Sequence, residues 1–232
     1  MSDSTSTTPA PTAPVTNMPR DNSLQNKAHA NAIGSSERLL KSIQGSPELL
    51  LALAPSGYNE QRLSIGMKLF ATAQTKFAAR QEAMAVATAA IATRKKAYDV
   101  AKTEFVSYRT AVQVNYKTAE RANLGASGRV ATDGDKFITN ARSAYSTALT
   151  SPYLEKLSEF GFTKERLTAA LANLEALTNE NSTADNATSK AQNATEARDV
   201  AVEALNTWVM QLRKIAKDAL QKHPDLLSLF KA

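Results

Sequence analysis

The sequence predicts an all-α protein, an elongated helical bundle of two tandem units, each with a medium, a short and a long helix, the long ones about 60 residues each. Three observations predict it. Residues 58–120 contain one glycine, Gly66, and no proline. Within them Leu63, Phe70, Phe77, Met84, Ile91, Tyr98, Phe105 and Val112 stand seven residues apart without a slip, the spacing of one seam on a long helix. The 43% apolar content carries only 6% aromatics and is largely alanine, which buries little area but has the best helix propensity and lets backbones approach closely. At ~1.5 Å per residue the first long helix would reach on the order of 90 Å. Such a chain is a rod.

Residues 1–21, mostly Ser, Thr, Pro and Ala, cannot bury enough apolar surface to offset their ordering entropy. They read as a disordered or extended arm. The first unit spans 22–121. Asn22 or Ser23 can cap its first helix, with Leu24, Ile33, Leu40 and Ile43 along one side and Gly45 at its end. Ser46-Pro47-Glu48 then starts a short helix, with Ser as cap, Pro in the first turn and an acid at the positive end of the dipole. Pro55-Ser56-Gly57 breaks the chain and Asn59 can cap the long helix.

After a linker at 122–134 the order recurs in a second unit, 135–223. Ser151-Pro152 repeats Ser46-Pro47, and Gly161-Phe162 through Arg166-Leu167 repeats Gly57-Tyr58 through Arg62-Leu63. Further on, Ala197-Arg198-Asp199-Val200-Ala201 repeats Ala97-Tyr98-Asp99-Val100-Ala101, with Leu205, Trp208 and Leu212 standing where Phe105, Tyr108 and Val112 stand. The offset falls from 105 to 104 to 100, so the second copy is slightly shorter. This is a tandem duplication, and the two units should form one bundle in which each covers the other's seam. Tyr108 and Trp208 are then equivalent core residues, expected near the bundle's closed end. Between Asn179 and Glu196 no apolar residue exceeds Ala, yet Gly and Pro are absent, which favours one continuous helix over a hairpin. His223-Pro224-Asp225 starts a last turn, 224–232, bearing Leu226, Leu227, Leu229 and Phe230.

Chemistry-bearing motifs are wanting. Cysteine is absent, which removes disulfides and thiolate sites, and His29 and His223 lack partners at ligand spacing. Gly125 and Gly128 sit in a helix-to-helix connection without the strand that phosphate loops follow. No enzyme, cofactor or metal is expected. No run of eighteen apolar residues suggests a membrane span and no apolar segment near the start suggests a secretory signal, so a cytoplasmic protein is the default, with non-classical export left open.

The net charge of +6 sits entirely on residues 58–121, which hold eleven Lys/Arg against five Asp/Glu. Arg94-Lys95-Lys96 is its densest run. Those cations could follow a phosphate backbone, but they spread round the helix and no aromatic interleaves for stacking. The second long helix carries six acids between Glu175 and Glu203 against Lys190 and Arg198, so pairing of the two helices explains the asymmetry without nucleic acid.

The second half, from Phe160-Gly161-Phe162-Thr163 through Ala191-Gln192-Asn193-Ala194-Thr195-Glu196-Ala197-Arg198-Asp199 to Trp208, Ile215-Ala216 and His223-Pro224-Asp225-Leu226-Leu227, resembles a family of uncharacterised bacterial all-helical proteins with an internal duplication. The resemblance implies a bacterial source and an all-helical fold, and brings no activity. The function expected is that of a non-enzymatic scaffold, a rod-like subunit that assembles with its own copies into oligomers or filaments. The alternatives are a nucleic-acid-associated protein using Arg94, Lys95 and Lys96, and a helical adaptor for another protein. The apolar turn with Leu226, Leu227, Leu229 and Phe230, together with the arm, is expected at contacts between subunits.

Overall fold

The structure, a computed structural model, describes residues 23–230, the side chain of Leu229 excepted. The expected arm at 1–21 lies outside them. Every regular element among the described residues is helical: α1 (Ser23–Gln44), α2 (Pro47–Leu53), α3 (Glu60–Asn115), α4 (Thr118–Asn123), α5 (Gly134–Ala148), α6 (Tyr153–Ser158), α7 (Lys164–Ala219) and α8 (Pro224–Leu227), with 3-10 turns at Ala54–Ser56 and Ser228–Phe230. The two long helices have 56 residues each, or on the order of 84 Å.

Short polar side chains start these helices, because the first N–H groups have no partner within the helix. Ser46 accepts from the Leu49 N–H, Asn59 from Arg62, Asp133 from Lys136 and Thr163 from Arg166. Ser151 departs from its repeat partner. The Ser151–Pro152 peptide is cis, the Ser151 hydroxyl donates to Glu155 Oε1 at 2.9 Å, and no side chain caps α6.

The first long helix ends sooner than its sequence suggests, at Asn115 instead of about Glu120. Tyr116 takes an extended conformation (φ −125°, ψ 153°), which drops its ring into the core and lets its hydroxyl donate to the Tyr153 carbonyl at 3.0 Å. Arg121 Nε takes up the Tyr116 carbonyl at 2.6 Å, and Glu120 accepts from the Lys117 N–H, which starts α4. The expected linker at 122–134 therefore begins inside α4.

α3 and α7 run antiparallel along each other. At one end α1, α2 and α8 pack on the start of α3 and the end of α7, around Leu40, Leu49, Leu63, Trp208 and Leu212. At the other, α5 and α6 pack on the end of α3 and the start of α7, around Phe105, Tyr108, Phe137, Tyr145 and Leu167. Between these caps the bundle is α3 and α7 alone, joined by Ala87, Ala187 and Ala191. The Asn/Thr-rich stretch 179–196 is helical throughout.

The large seam predicted on α3 is not the line that it buries along its length. That line is a second series seven residues apart: Gly66, Ala73, Arg80, Ala87, Arg94, Ala101 and Tyr108, all buried except the partly covered Arg94. α7 answers with Ala170, Leu177, Ala184, Ala191, Arg198, Leu205 and Leu212, all buried. Where the two helices pack alone, Ala87, Ala184 and Ala191 hold that line, because the spacing of two helix axes follows the side chains between them. The large series flanks the line and is fully buried only under the caps, so Met84 and Ile91 stay partly exposed.

Candidate functional site

Tyr108 and Trp208 are both buried, as repeat-equivalent core positions should be, but at opposite ends of the rod instead of together at one closed end. The antiparallel pairing of α3 with α7 separates them. Each packs edge-on against the aromatic that opens the other unit's long helix, Trp208 on Tyr58 (centroids 5.8 Å) and Tyr108 on Phe162 (5.7 Å). A guanidinium covers each of those rings in turn, Arg62 over Tyr58 at 4.8 Å and Arg166 over Phe162 at 4.0 Å. Only Arg166 also meets a carboxylate, Glu104, through two bonds of 2.7 and 3.2 Å.

The basic run is largely spoken for within the chain. Arg94 reaches Asp185 of α7 at 3.4 Å and Lys95 meets Asp99 one turn on at 2.7 Å, leaving Lys96 exposed. The turn at the chain's end folds back: Leu226, Leu227 and Phe230 lie half-buried against the core formed by α1, α2, α3 and α7. Their apolar surface closes this end of the rod, and the side chain of Leu229 lies outside the described set.

A polar cluster that the sequence reading passed over lies where α1 crosses the long helices. α1 has 22 residues against 15 in its counterpart α5, and the extra turns bring Asn26 and His29 onto α7. There Arg198, 1% exposed, donates through Nε and Nη2 to Asp199 Oδ1 at 2.8 and 2.6 Å and through Nη1 to Asn26 Oδ1. His29 Nδ1 stands 3.5 Å from the same Asp199 oxygen, without hydrogen-bond geometry. Arg80 of α3 is buried nearby. The seven-residue spacing of Arg80 and Arg198 with their alanine neighbours is the signal that could have placed both at the centre line.

His29 is held below its ordinary range, first by burial and then by Arg198 and Arg80, which together outweigh the pull of Asp199 toward the imidazolium. The folded chain therefore resists protonating a side chain that the unfolded chain protonates near pH 6.5. The associated stability is present above that pH and is lost as pH falls through it. Unfolding curves between pH 7.5 and 5.5 should show this decline, and His29→Gln should flatten it; an unaltered pH dependence in the variant would refute the assignment. Among the described residues no group of three or more His, Asp or Glu side chains is placed to hold a metal, and no helix is long and apolar enough to cross a membrane.

One exposed row of α3 is uncharged and largely apolar over a long span. On α3, Thr72, Ala79, Val86, Thr93 and Val100 are exposed at seven-residue spacing, and the partly covered Ala83, Ala90 and Ala97 lie one turn from Ala79, Val86 and Thr93 on the same side. Val86 and Val100 are more than half exposed, and none of these eight side chains carries a charge, although Glu82 and Lys96 border them on the other flank. Solvated helix faces ordinarily alternate charges along their length. Comparisons with protein-family models, curated proteins and solved structures find no match for the chain.

Proposed function

We propose that this protein is a non-enzymatic structural subunit of bacterial type, a rod that assembles side by side with its own copies, filaments being the extended form of that assembly. The observation that carries the reading is the uncharged Ala/Thr/Val row of α3 from Thr72 to Val100, with Ala83, Ala90 and Ala97 beside it. Small side chains at seven-residue spacing let a second helix approach closely, as Ala73 and Ala87 do toward α7 inside the molecule. Side-by-side pairing also leaves the two capped ends free to contact further copies.

Light scattering on the size-fractionated protein, followed by negative-stain imaging, tests this. The expected result is a concentration-dependent species heavier than one chain, with particles on the order of 80–90 Å long. Charge placed on the face by Ala79→Glu with Val86→Glu should return it to single chains without loss of helicity. A single chain at every concentration overturns the reading. A tight nucleic-acid complex at physiological salt, with a steep salt dependence abolished by changing Arg94, Lys95 and Lys96 to Glu, would favour nucleic-acid association instead.

A further inference from the structure

Beneath the loop that joins α4 to α5 lies a cleft of about 260 Å³. Its polar lining is Arg109 and Arg129, Asn123 and Asn140, Ser127 and Ser143, and it includes no carboxylate. Arg109 rises from α3 at the floor beside Phe105 and is 6% exposed. Its Nη2 donates to the carbonyls of Ala126, Ser127 and Gly128 at 3.1, 3.3 and 2.6 Å, while its Nε is buried without a hydrogen-bond partner. Neither Arg109 nor Arg129 forms an ion pair among the described residues.

The duplication supplies an internal control. At the offset of 100 that relates Tyr108 to Trp208, Arg109 corresponds to Val209, which is equally buried. Packing at this position is thus met by valine in one copy, and a buried cation without a counter-charge carries a desolvation cost that an apolar side chain avoids. The carbonyls of the loop offset part of that cost, and an anion would offset the remainder. Two guanidiniums, two amides and two hydroxyls round a space of this size match the acceptor oxygens of a tetrahedral oxyanion.

We propose that the cleft binds a small oxyanion of the phosphate or sulfate class, with Arg109 beneath it and Arg129, Asn123 and Asn140 at its rim. The site is independent of the assembly reading, since it lies at the α5 end and not on the uncharged face of α3. Arg129 and Asn140 are exposed, so changing either leaves the core intact.

Inorganic phosphate titrated into the full chain, against chloride at matched ionic strength, is the test, read by amide chemical shifts of residues 123–131 and by the thermal midpoint. The expected result is a saturable shift confined to that loop and the facing turns of α5, with a rise in midpoint that follows site occupancy. Arg129→Gln should weaken the apparent Kd at least tenfold, and Asn140→Asp should abolish saturation while both unliganded midpoints hold. Equal responses to chloride and phosphate, or a response that never saturates and persists in both variants, would overturn the proposal.

Discussion

Trp208→Ala is expected to lower the free energy of unfolding by about 3–5 kcal/mol, because it empties the largest side-chain volume in the α1/α2 end of the rod. The ring is 6% exposed, lies edge-on to Tyr58 and sits over Gly66. A methyl group at Gly66 would fall 2.3–2.7 Å from three of its carbon atoms, so the glycine is there for the ring's sake. Gly66→Ala should therefore destabilise as well, by about 1–3 kcal/mol through overpacking. The two losses should not add, since removing the ring makes room for the methyl. Trp208→Phe is expected to stay closer to the wild type, because the indole N–H is buried without a hydrogen-bond partner and its removal orphans nothing. Denaturant unfolding of the four variants is the measurement. Additive losses, or an unaffected Trp208→Ala, would contradict this packing.

Ala87→Pro should cost about 3 kcal/mol or more. A proline there removes one hydrogen bond of α3 and drives its ring into the carbonyl one turn back. Ala87 is fully buried against Ala187 and Ala191, at the level where α3 has only α7 beside it, so no third helix can brace the kink. The kink would also splay the two ends that α3 joins, and helicity measured by circular dichroism should fall together with stability. A variant that unfolds like the parent would mean that α3 is not one helix through this level.

The all-helical class, the order of helices and the capping residues Ser46 and Asn59 are legible in the sequence because they rest on local chemistry: spacing, glycine and proline, and a side chain within reach of the first free N–H. What was not legible depends on three-dimensional competition. The early end of α3 is decided by burial of Tyr116 and its bond to the Tyr153 carbonyl, which lies 37 residues away in sequence. The centre line was hidden because a reader looking for a core follows large side chains, and two helices packed alone are set closest by small ones. Arg80 and Arg198 were invisible as centre-line residues for the same reason, since charge ordinarily marks a solvated face. Of the residues singled out for interaction, Arg94 and Lys95 are engaged within the chain, and Leu226, Leu227 and Phe230 lie against its own core. Neither the cleft under the α4–α5 loop nor the polar cluster at His29 has a local signature, because each draws on segments far apart in the chain.

The cross-packing of the two units bears on how the chain is made. Tyr58 finds Trp208 and Leu63 shares a core with Leu212, so the first-synthesised unit has its partners about 150 residues downstream. The second unit, by contrast, closes against the end of α3, which precedes it directly. A growing chain can thus complete the α5/α6 end while the α1/α2 end still waits, its apolar side chains uncovered until the final turns of α7 emerge. Contacts between such distant segments close slowly, and waiting apolar surface is open to wrong partners. The duplication that looks like two modules in sequence therefore does not divide into two modules in the fold, and a chain halted before residue 200 would be left with a complete far end and an unsheltered beginning.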